Sequence, residues 1–266
     1  MSFSPGYWEP HSSSVEFCEP NYVHTSYVAE IHNAWSSLAV VILPLVGLYA
    51  CNLTHEWRNV VMYLVLAGVG CGSVLLHSTL HWVFQSADEV PMLWMVTAYL
   101  FALMNVTSAK DESTFGSVIL CVGALVVQTY VYYTFQHLYW VFLVTYLSGA
   151  ATVLAWCCFL THSVKGTTEF AVRYWLLTRG FMSYVLLGGV LWIYEMHNCD
   201  SLEPHFLAWG GMSFHILWHF GAAYGSYFVI LLVVTCRAQA LGMVVELDSL
   251  VPGLPIIKQV GRKKLL

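Results

Sequence analysis

Long apolar stretches follow one another along the chain, separated by short polar segments, and this pattern predicts helices that cross a membrane. A spanning helix needs about 20 mostly apolar residues. The stretches that approach or exceed this length are roughly 34–51, 60–77, 90–107, 115–133, 138–160, 174–195 and 206–236. We therefore expect an all-α fold, a polytopic seven-transmembrane helix bundle whose two ends lie on opposite sides of the membrane.

The polar ends of the chain divide it into three predicted parts. Residues 1–33 form a short head that is rich in Ser, Pro, Tyr and Glu and holds no Lys or Arg. Residues 34–236 form the helix bundle, and residues 237–266 form a tail. Because the head lacks a basic start followed by an apolar core, we expect no cleavable signal peptide.

The composition agrees with a membrane protein. Of the 266 residues, 58% are hydrophobic and only 9% are Asp, Glu, Lys or Arg, and the mean hydropathy is +0.66. A soluble domain usually carries about 25% charged residues, so most of this surface must face lipid. Fifteen acidic against ten basic residues leave no cationic face for nucleic acid, and that class of partner is excluded.

The basic residues predict the orientation. They are Arg58, Lys110, Lys165, Arg173, Arg179, Arg237, Lys258, Arg262, Lys263 and Lys264. On a seven-span chain all of them fall on one side, if Arg179, just inside the sixth span, extends its side chain outward. Basic loops stay in the cytosol. The tail is therefore predicted to be cytosolic and the head lumenal or extracellular.

The last four residues suggest a location. Lys263-Lys264-Leu265-Leu266 resembles the dilysine signal for retrieval to the endoplasmic reticulum, which is an address that a receptor reads. An ordinary basic flank of a membrane protein explains the same residues. We expect a multi-pass membrane protein of the endoplasmic reticulum or the Golgi.

Two of the eight cysteines lie outside the predicted spans on the side that is expected to be oxidising. They are Cys18 in the head and Cys199 between the sixth and seventh spans. Two exposed thiols in an oxidising compartment are expected to pair. Such a disulfide would hold the head over the bundle.

Two histidine pairs have the i, i+4 spacing that places both rings on one helix face. They are His77 with His81, and His215 with His219. This spacing can chelate one metal ion, although chance pairs are common in soluble helices. Ionisable groups within a membrane mark functional sites by default. We expect His215 and His219 to lie deep in the seventh span and to bind metal, whereas His81 lies in the lumenal turn.

Other polar residues reach the lumenal half of the same spans. Ser73 lies one turn before His77, and Asp88 and Glu89 are expected to open the third span. Ser73 also fits as a small packing residue, and the acidic pair as a helix cap. Three imidazoles with an open fourth position are typical of catalytic Zn²⁺. A nearby carboxylate could move protons and a hydroxyl could stabilise an oxyanion.

The head carries an acidic group of its own, which includes Glu16, Glu19, Asn21 and Glu30. Carboxylates without a basic partner repel one another unless a cation lies among them. Hard oxygen donors in an irregular loop suit Ca²⁺. A solvated acidic loop without any ligand explains the pattern as well.

The order of these motifs resembles the membrane hydrolase superfamily that includes alkaline ceramidases and adiponectin receptors. The head is more specifically similar to the alkaline ceramidase family. The segments that carry the resemblance are Gly6-Tyr7-Trp8-x-Pro10, Glu16-Phe17-Cys18-Glu19-x-Asn21-Tyr22, Ala29-Glu30-x-x-Asn33, Ser73-x-x-x-His77-x-Thr79-Leu80, Asp88-Glu89-x-Pro91-Met92 and His215-x-x-x-His219. They cover the whole chain in order.

The resemblance implies an intramembrane zinc amidase that cleaves the N-acyl bond of ceramide and releases sphingosine and a fatty acid. The implied residues are His77, His215 and His219 for zinc, Asp88 and Ser73 for catalysis, and Glu16, the Phe17 carbonyl, Glu19, Asn21 and Glu30 for a calcium ion that modulates activity. It also supports the pairing of Cys18 with Cys199. The implied partners are ceramide and membrane lipids, with no nucleic acid and no obligate protein partner.

Two positions depart from the family pattern. Glu16 stands where Asp is usual, which puts the calcium affinity in question, and His81 stands where relatives often have Lys.

Three other functions fit parts of the sequence. A related lipid hydrolase or a seven-span receptor with structural zinc would keep the same core, but adiponectin-type receptors place the N-terminus in the cytosol, opposite to the orientation expected here. A metal transporter would need polar groups through the full membrane thickness. The fourth and fifth spans offer few ionisable residues beyond His137.

Overall fold

The computed structural model of the protein describes residues 6–51, 53–109 and 114–262. Within these ranges, seven segments are helical, long and apolar enough to cross a membrane, which confirms the predicted polytopic all-α architecture. The spans are Ile31–Cys51, Trp57–Thr79, Trp82–Met104, Phe115–Phe135, Tyr139–His162, Thr168–Met196 and His215–Ala240. Lys110 and the C-terminal Lys263 and Lys264 lie outside the described residues.

The helices are numbered in chain order. They are α1 (Ile31–Ser36), α2 (Leu38–Cys51), α3 (Trp57–Thr79), α4 (Trp82–Met104), α5 (Phe115–Phe135), α6 (Tyr139–His162), α7 (Thr168–Phe181), α8 (Val190–Met196), α9 (Cys199–Ala208) and α10 (His215–Ala240). A π-helical segment, Met182–Gly189, joins α7 to α8 and completes the sixth span. Two strands, β1 (Met243–Val251) and β2 (Leu254–Arg262), follow α10. We call the end of the bundle that carries residues 6–30 the head side and the opposite end the basic side.

The third span begins earlier than its hydropathy indicates. Its helix starts at Trp82 and not near residue 90, so the expectation that Asp88 and Glu89 open the span is wrong. Both carboxylates lie in the second turn of α4. The polar residues Gln85 and Ser86 hid this first part of the helix from the hydropathy pattern, although both are buried against other polar groups.

The seventh span begins later than expected. Residues 206–208 belong to the separate helix α9, and the chain then turns at Gly210 and Gly211, whose φ angles are +74° and +95°. Positive φ is a conformation that glycine adopts without steric cost. The new helix starts at His215, so His215 and His219 lie in its first turns and the expectation that they lie deep along the span is wrong.

Helix α10 forms the centre of the bundle and packs against α2, α3, α7 and the π-helical segment. Almost every side chain of its second half is buried. Gly221 permits α10 to approach the π-helical segment closely, since a Cβ there would lie 2.6 Å from the backbone nitrogen of Gly188. In the peripheral helix α5, by contrast, only Tyr132 is buried, and the rest of its apolar surface is free to face lipid.

The head packs on the turn between α3 and α4. The backbone N–H groups of Ala29 and Glu30 donate to the carbonyls of Ser78 and His77 at 3.0 and 2.9 Å. A disulfide joins Cys18 to Cys199, the pair expected from the sequence, with 5.3 Å between the Cα atoms. The head is therefore tied to α3 by hydrogen bonds and to α9 by a covalent bond.

A β-hairpin covers part of the basic side. Strands β1 and β2 pair antiparallel, with Leu247 opposite Ile257, and turn at Pro252 and Gly253. Ile257 is fully buried, and the Tyr227 hydroxyl of α10 donates to the Pro255 carbonyl at 2.8 Å. The predicted tail therefore contains a folded element that the hydropathy pattern did not predict.

A buried ion-pair cluster closes the bundle beside the hairpin. Glu56 accepts hydrogen bonds from Arg58 at 2.9 Å and from the Nε and Nη2 atoms of Arg237 at 2.8 and 2.7 Å. Burial alone raises the pKa of the Glu56 carboxyl, but the hydrogen bonds and charges of the two arginines outweigh burial and lower the pKa below its usual value. The carboxylate thus balances two buried guanidinium groups.

We expect Glu56→Gln to destabilise the protein by about 3 kcal/mol, because it leaves two buried guanidinium groups without a counter-charge. Thermal unfolding of the purified protein in detergent measures the change. The control is Asp248→Asn, which removes a partner of Lys258 from an exposed ion pair on the hairpin. Equal melting temperatures for wild type and Glu56→Gln would show that the cluster does not stabilise the fold.

Candidate metal centre and active site

Three imidazole rings meet inside the head-side half of the bundle. His77 comes from the last turn of α3, and His215 and His219 come from the first two turns of α10. Their exposed fractions are 1%, 3% and 3%, and one nitrogen of each ring lies within 4.8 Å of the other two. Among the described residues, this group is arranged to hold a metal ion.

The hydrogen bond of His77 identifies its free nitrogen. His77 Nδ1 lies 2.6 Å from Glu30 Oε2, and both side chains are fully or almost fully buried. When Glu30 is ionised, as a cation in the head would favour, its oxygen only accepts, so Nδ1 carries the hydrogen and Nε2 keeps its lone pair. A carboxylate behind a metal-binding histidine is a recurrent arrangement, because it orients the ring and raises the basicity of the other nitrogen.

The serines around His219 lead to the same tautomer there. Ser36 Oγ donates to the Asn33 carbonyl at 3.1 Å and lies 2.7 Å from His219 Nδ1. Since the single hydroxyl hydrogen is used, we assign the hydrogen of that contact to Nδ1. His219 Nε2 then directs a lone pair toward Ser73 Oγ and Ser37 Oγ, at 3.4 and 3.5 Å.

The hydroxyl groups of Ser37 and Ser73, near His219 Nε2, donate their hydrogens to other acceptors. Ser37 donates to the Asn33 carbonyl at 2.8 Å, and the remaining contact, between Ser73 and Ser37 at 2.9 Å, uses the hydrogen of Ser73. In this arrangement no hydroxyl hydrogen points at His219 Nε2, and its lone pair is left unsatisfied. A cation at this point would satisfy it.

His215 adds an unsatisfied buried atom and an apolar cover. Its Nδ1 is buried and has no hydrogen-bond partner in the described part of the chain. The Phe17 ring from the head lies over His215 and His77, with centroid distances of 4.4 and 4.7 Å. Imidazole nitrogens in a water-poor pocket suit a transition metal such as Zn²⁺. The donor set and its hydrogen bonds therefore fit a metal ion.

A cavity opens beside the three rings, and Ser73 and Asp88 line it together with His215 and His219. Its other lining is mostly apolar and aromatic, and includes Met92, Met95, Tyr139, Phe142, Trp192 and Trp218. A site of this kind, with a few polar groups at one end of an apolar space, binds a largely apolar ligand.

The two acidic residues of α4 differ in their environment. Glu89 is held by Gln85, whose Nε2 donates to it at 3.0 Å. No hydrogen bond to a described residue engages the Asp88 carboxylate, which lines the cavity and is partly exposed to it. Of the two, only Asp88 is free to exchange protons with a bound molecule.

Gly72 sets the position of Asp88. A Cβ at residue 72 would lie 1.9 Å from the Ala87 carbonyl oxygen and 2.7 Å from the Asp88 backbone nitrogen. Both distances are shorter than the contacts that Cβ atoms make in proteins, so only glycine lets α3 and α4 come this close. The approach brings Asp88 to the level of Ser73 and His77.

A second, almost wholly apolar cavity continues toward the basic side. It shares Met95, Tyr146, Leu147 and Ser226 with the first. The Tyr146 hydroxyl is hydrogen-bonded to that of Tyr184. Long apolar chains could therefore extend from the histidines into this second space.

The proposed calcium residues of the head are only partly gathered. Both oxygens of Glu19 accept backbone N–H groups of α1, from His32 and Asn33, at 2.7 Å each. One oxygen of Glu30 and the side-chain oxygen of Asn21 are buried without partners in the described chain. Glu16 is exposed. Phe17 is part of the same loop, and its ring covers the imidazoles.

The buried carboxyl groups of the head favour a cation. The pKa of both Glu19 and Glu30 is raised to about 8, chiefly by burial and in smaller part by the charge of Glu30 on Glu19 and of Glu16 on Glu30. A divalent cation near these carboxylates would favour their ionised forms. The oxygens that lack partners are available for it.

Asn33 connects the head to the three histidines, and sequence reasoning assigned it no role. Its side chain donates to Glu30 Oε2 at 3.2 Å, its backbone N–H donates to Glu19, and its carbonyl accepts the hydroxyls of Ser36 and Ser37. The polar residues Asn33, Ser36 and Ser37, spaced i, i+3 and i+4 near the start of an apolar span, were the available signal. Their partners are distant in sequence, so their function depends on the tertiary fold.

His81 lies apart from this group. Its Nε2 is 2.8 Å from the Trp8 carbonyl in the head, and it precedes the first residue of α4. The i, i+4 pair of His77 and His81 is interrupted because α3 ends between them, at Leu80 with φ +53°.

Comparisons with known proteins identify the family. The model of the ceramidase family matches residues 9–248. An alkaline ceramidase of Arabidopsis thaliana is 26% identical over 253 residues, which are 95% of this chain and 94% of the relative. Alkaline ceramidase 3 of Mus musculus is 29% identical over 241 residues (85% and 84%), and an alkaline ceramidase of Saccharomyces cerevisiae is 24% identical over 278 residues (88% and 83%). The chain belongs to the ceramidase family.

Proposed function

We propose that the protein hydrolyses the N-acyl amide bond of ceramide within the membrane, using zinc bound by His77, His215 and His219. The observation that carries this proposal is the buried group of three imidazoles at the polar end of an apolar cavity, with Asp88 and Ser73 beside it. The alkaline ceramidases among the relatives support the choice of substrate.

The free nitrogens of the three rings would hold the ion. When bound, Zn²⁺ acts as a Lewis acid that polarises a carbonyl oxygen and acidifies a water molecule. Glu30 holds His77 and Ser36 holds His219 in the tautomers that leave Nε2 free. Phe17 and the apolar lining limit the access of bulk water, which strengthens electrostatic interactions in the site.

Asp88 and Ser73 would serve the reaction itself. Water adds to the amide carbonyl carbon and gives up a proton to Asp88. The C–N bond then breaks, and Asp88 returns the proton to the amine nitrogen of the leaving sphingosine, so that a fatty acid remains. Ser73 would turn its hydroxyl hydrogen from Ser37 to the carbonyl oxygen as that oxygen gains negative charge.

The two cavities suit a substrate with two hydrocarbon chains. Ceramide lies in the bilayer, and the first cavity combines polar groups at the reaction centre with apolar walls. The second cavity provides further apolar space for a chain. Hydrolysis inside the bundle would thus act on the substrate without moving it from the bilayer into water.

A calcium ion in the head would act on the zinc site through Glu30. This residue is in the proposed calcium set, together with Glu16, the Phe17 carbonyl, Glu19 and Asn21, and it also holds His77. Phe17 offers a second connection, because its ring lies on His77 and His215. Calcium would therefore stabilise the positions of both elements and modulate activity.

The basic residues support a cytosolic basic side and a lumenal head. The disulfide between Cys18 and Cys199 fits this orientation, because the lumen is oxidising. We propose the endoplasmic reticulum or the Golgi as the location. Lys263 and Lys264, which suggest retrieval, lie outside the described residues.

Removing a zinc ligand or the proposed proton carrier should abolish hydrolysis for different reasons. We expect His215→Ala to lose both bound zinc and activity. We expect Asp88→Asn to keep zinc and to lose about 10²- to 10⁴-fold in rate, the usual contribution of a general acid–base residue. Metal analysis and sphingosine release by the purified protein measure the two effects.

His81→Ala is the matched control, because His81 is a head-side histidine outside the group and should leave zinc and activity unchanged. Wild-type rates in His215→Ala or Asp88→Asn would refute the mechanism. Zinc without hydrolysis of any ceramide by the wild type would instead favour a receptor with structural zinc.

Two substitutions in the head separate the roles of the proposed metals. Glu30→Gln weakens the partner of His77, and loss of such a carboxylate typically lowers metal affinity about 10- to 100-fold. Glu16→Gln should raise the calcium concentration needed for activity without changing the zinc content, because Glu16 is exposed and is not among the three imidazole ligands. Zinc competition with a chelator and calcium titration of activity measure these effects. A zinc affinity unaltered by Glu30→Gln would argue against the proposed link.

Adding one methyl group at Gly72 should displace Asp88. Gly72→Ala brings a Cβ against the Ala87 carbonyl, so we expect α3 and α4 to separate and sphingosine release to fall sharply. Gly68→Ala is the control, because it lies one turn away on the same helix and its Cβ would meet nothing within 4 Å. Full activity in both variants would show that the close approach is not required.

A further inference from the structure

Three nitrogen and oxygen atoms that could bind a metal ion also meet on the surface of the head side, in a group separate from the buried imidazoles. They are His24 Nε2 in the head, His32 Nε2 in α1 and the Gly210 carbonyl oxygen in the turn before α10. The two nitrogens are 3.2 Å apart, and the oxygen lies 2.6 Å from His24 and 2.9 Å from His32. The head, the start of α1 and the distant turn before α10 therefore bring polar atoms to one point.

Hydrogen bonds alone do not satisfy this triangle. Each neutral imidazole can place one hydrogen on Nε2, and the carbonyl can accept both. The remaining contact, between the two nitrogens, then brings two N–H groups toward each other. A cation at the centre would satisfy all three atoms through their lone pairs.

The separation of the two nitrogens suits a transition-metal ion, whereas the carbonyl oxygen, at 2.6 and 2.9 Å from them, is closer than a tetrahedral ligand would be. Zn²⁺ binds imidazole nitrogen at about 2.0–2.1 Å with tetrahedral geometry, which places two such nitrogens roughly 3.3 Å apart. The observed separation is 3.2 Å, and the two rings are perpendicular, with centroids 5.1 Å apart. Imidazole suits Zn²⁺, Cu²⁺ and Ni²⁺.

The fold holds the carbonyl against both rings. Gly210 and Gly211 have positive φ angles, and a Cβ on Gly211 would lie 3.6 Å from His32 Cδ2 and 3.9 Å from His24 Nε2. His24 is exposed and His32 is half-buried, so an ion can reach them from water. Water can fill the remaining coordination positions.

Trp35 opposes metal binding at His32. Its Nε1 lies 3.2 Å from His32 Nδ1, and because an indole N–H can only donate, this contact favours the tautomer with the hydrogen on His32 Nε2. A metal at Nε2 requires the other tautomer. The indole is 48% exposed, so it can turn away when the metal binds.

We propose that His24, His32 and the Gly210 carbonyl form a second metal site, for Zn²⁺ or a similar divalent transition metal. The ion joins the head to the turn that leads into His215, five residues after Gly210. Binding to the folded state alone stabilises it in proportion to the logarithm of the free metal concentration. The site is independent of ceramide hydrolysis.

The test is a Zn²⁺ titration of the tag-free, purified full chain in excess Ca²⁺, after the metal that the protein already holds has been measured. We expect the wild type to bind one further Zn²⁺ and to melt at a higher temperature as it does so. His24→Ala and His32→Ala should weaken this binding at least about tenfold, a change of about 1.4 kcal/mol. His197→Ala is the matched control, since His197 is exposed on the same side of the bundle.

Trp35→Phe distinguishes a metal site from a set of hydrogen bonds. It removes the N–H that favours the non-binding tautomer and keeps the aromatic packing on Phe220, so it should strengthen the binding of Zn²⁺. The proposal is overturned if the wild type takes up no further Zn²⁺, or if His24→Ala and His32→Ala bind it as the wild type does. Weaker binding by Trp35→Phe would also contradict it.

Discussion

The contact between Glu30 and His77 is the interaction on which the head-side half of the molecule depends. The carboxylate meets the imidazole at 2.6 Å, and the backbone N–H of Glu30 donates to the His77 carbonyl at 2.9 Å. This residue pair thus positions the head on α3 directly before the first span, and it determines which nitrogen of His77 is free. Asn33 extends this control, because it contacts Glu30 with its side chain and supports Ser36 and Ser37 with its carbonyl.

A buried polar group is costly unless its hydrogen bonds are satisfied. The basic side satisfies its buried charges within the protein, with Glu56 between two arginines. The head side leaves lone pairs of His215, His219 and Glu30 without hydrogens in the described chain. The satisfied cluster on the basic side stabilises the fold, whereas the unsatisfied atoms on the head side are available to a ligand.

Hydropathy was sufficient to predict the seven spans, and the i, i+4 spacing of His215 and His219 identified two of the three histidines of the candidate metal centre. The span limits were less accurate, because Gln85 and Ser86 are polar although they lie within α4, and because α9 is apolar enough to extend the apparent seventh span. The hairpin had a signal in Pro252-Gly253 between two β-branched segments, but its burial depends on Tyr227 of α10. The roles of Asn33, Ser36 and Ser37 arise from contacts with residues far along the chain, which no local pattern contains.

The central claim is that His77, His215 and His219 together hold zinc. Anomalous diffraction from crystals of the purified protein, measured on both sides of the zinc absorption edge, tests it most directly. We expect one strong zinc peak with three imidazole nitrogens at about 2.0–2.1 Å and Asp88 facing the remaining coordination position. An active preparation with no zinc peak among these three rings would contradict it.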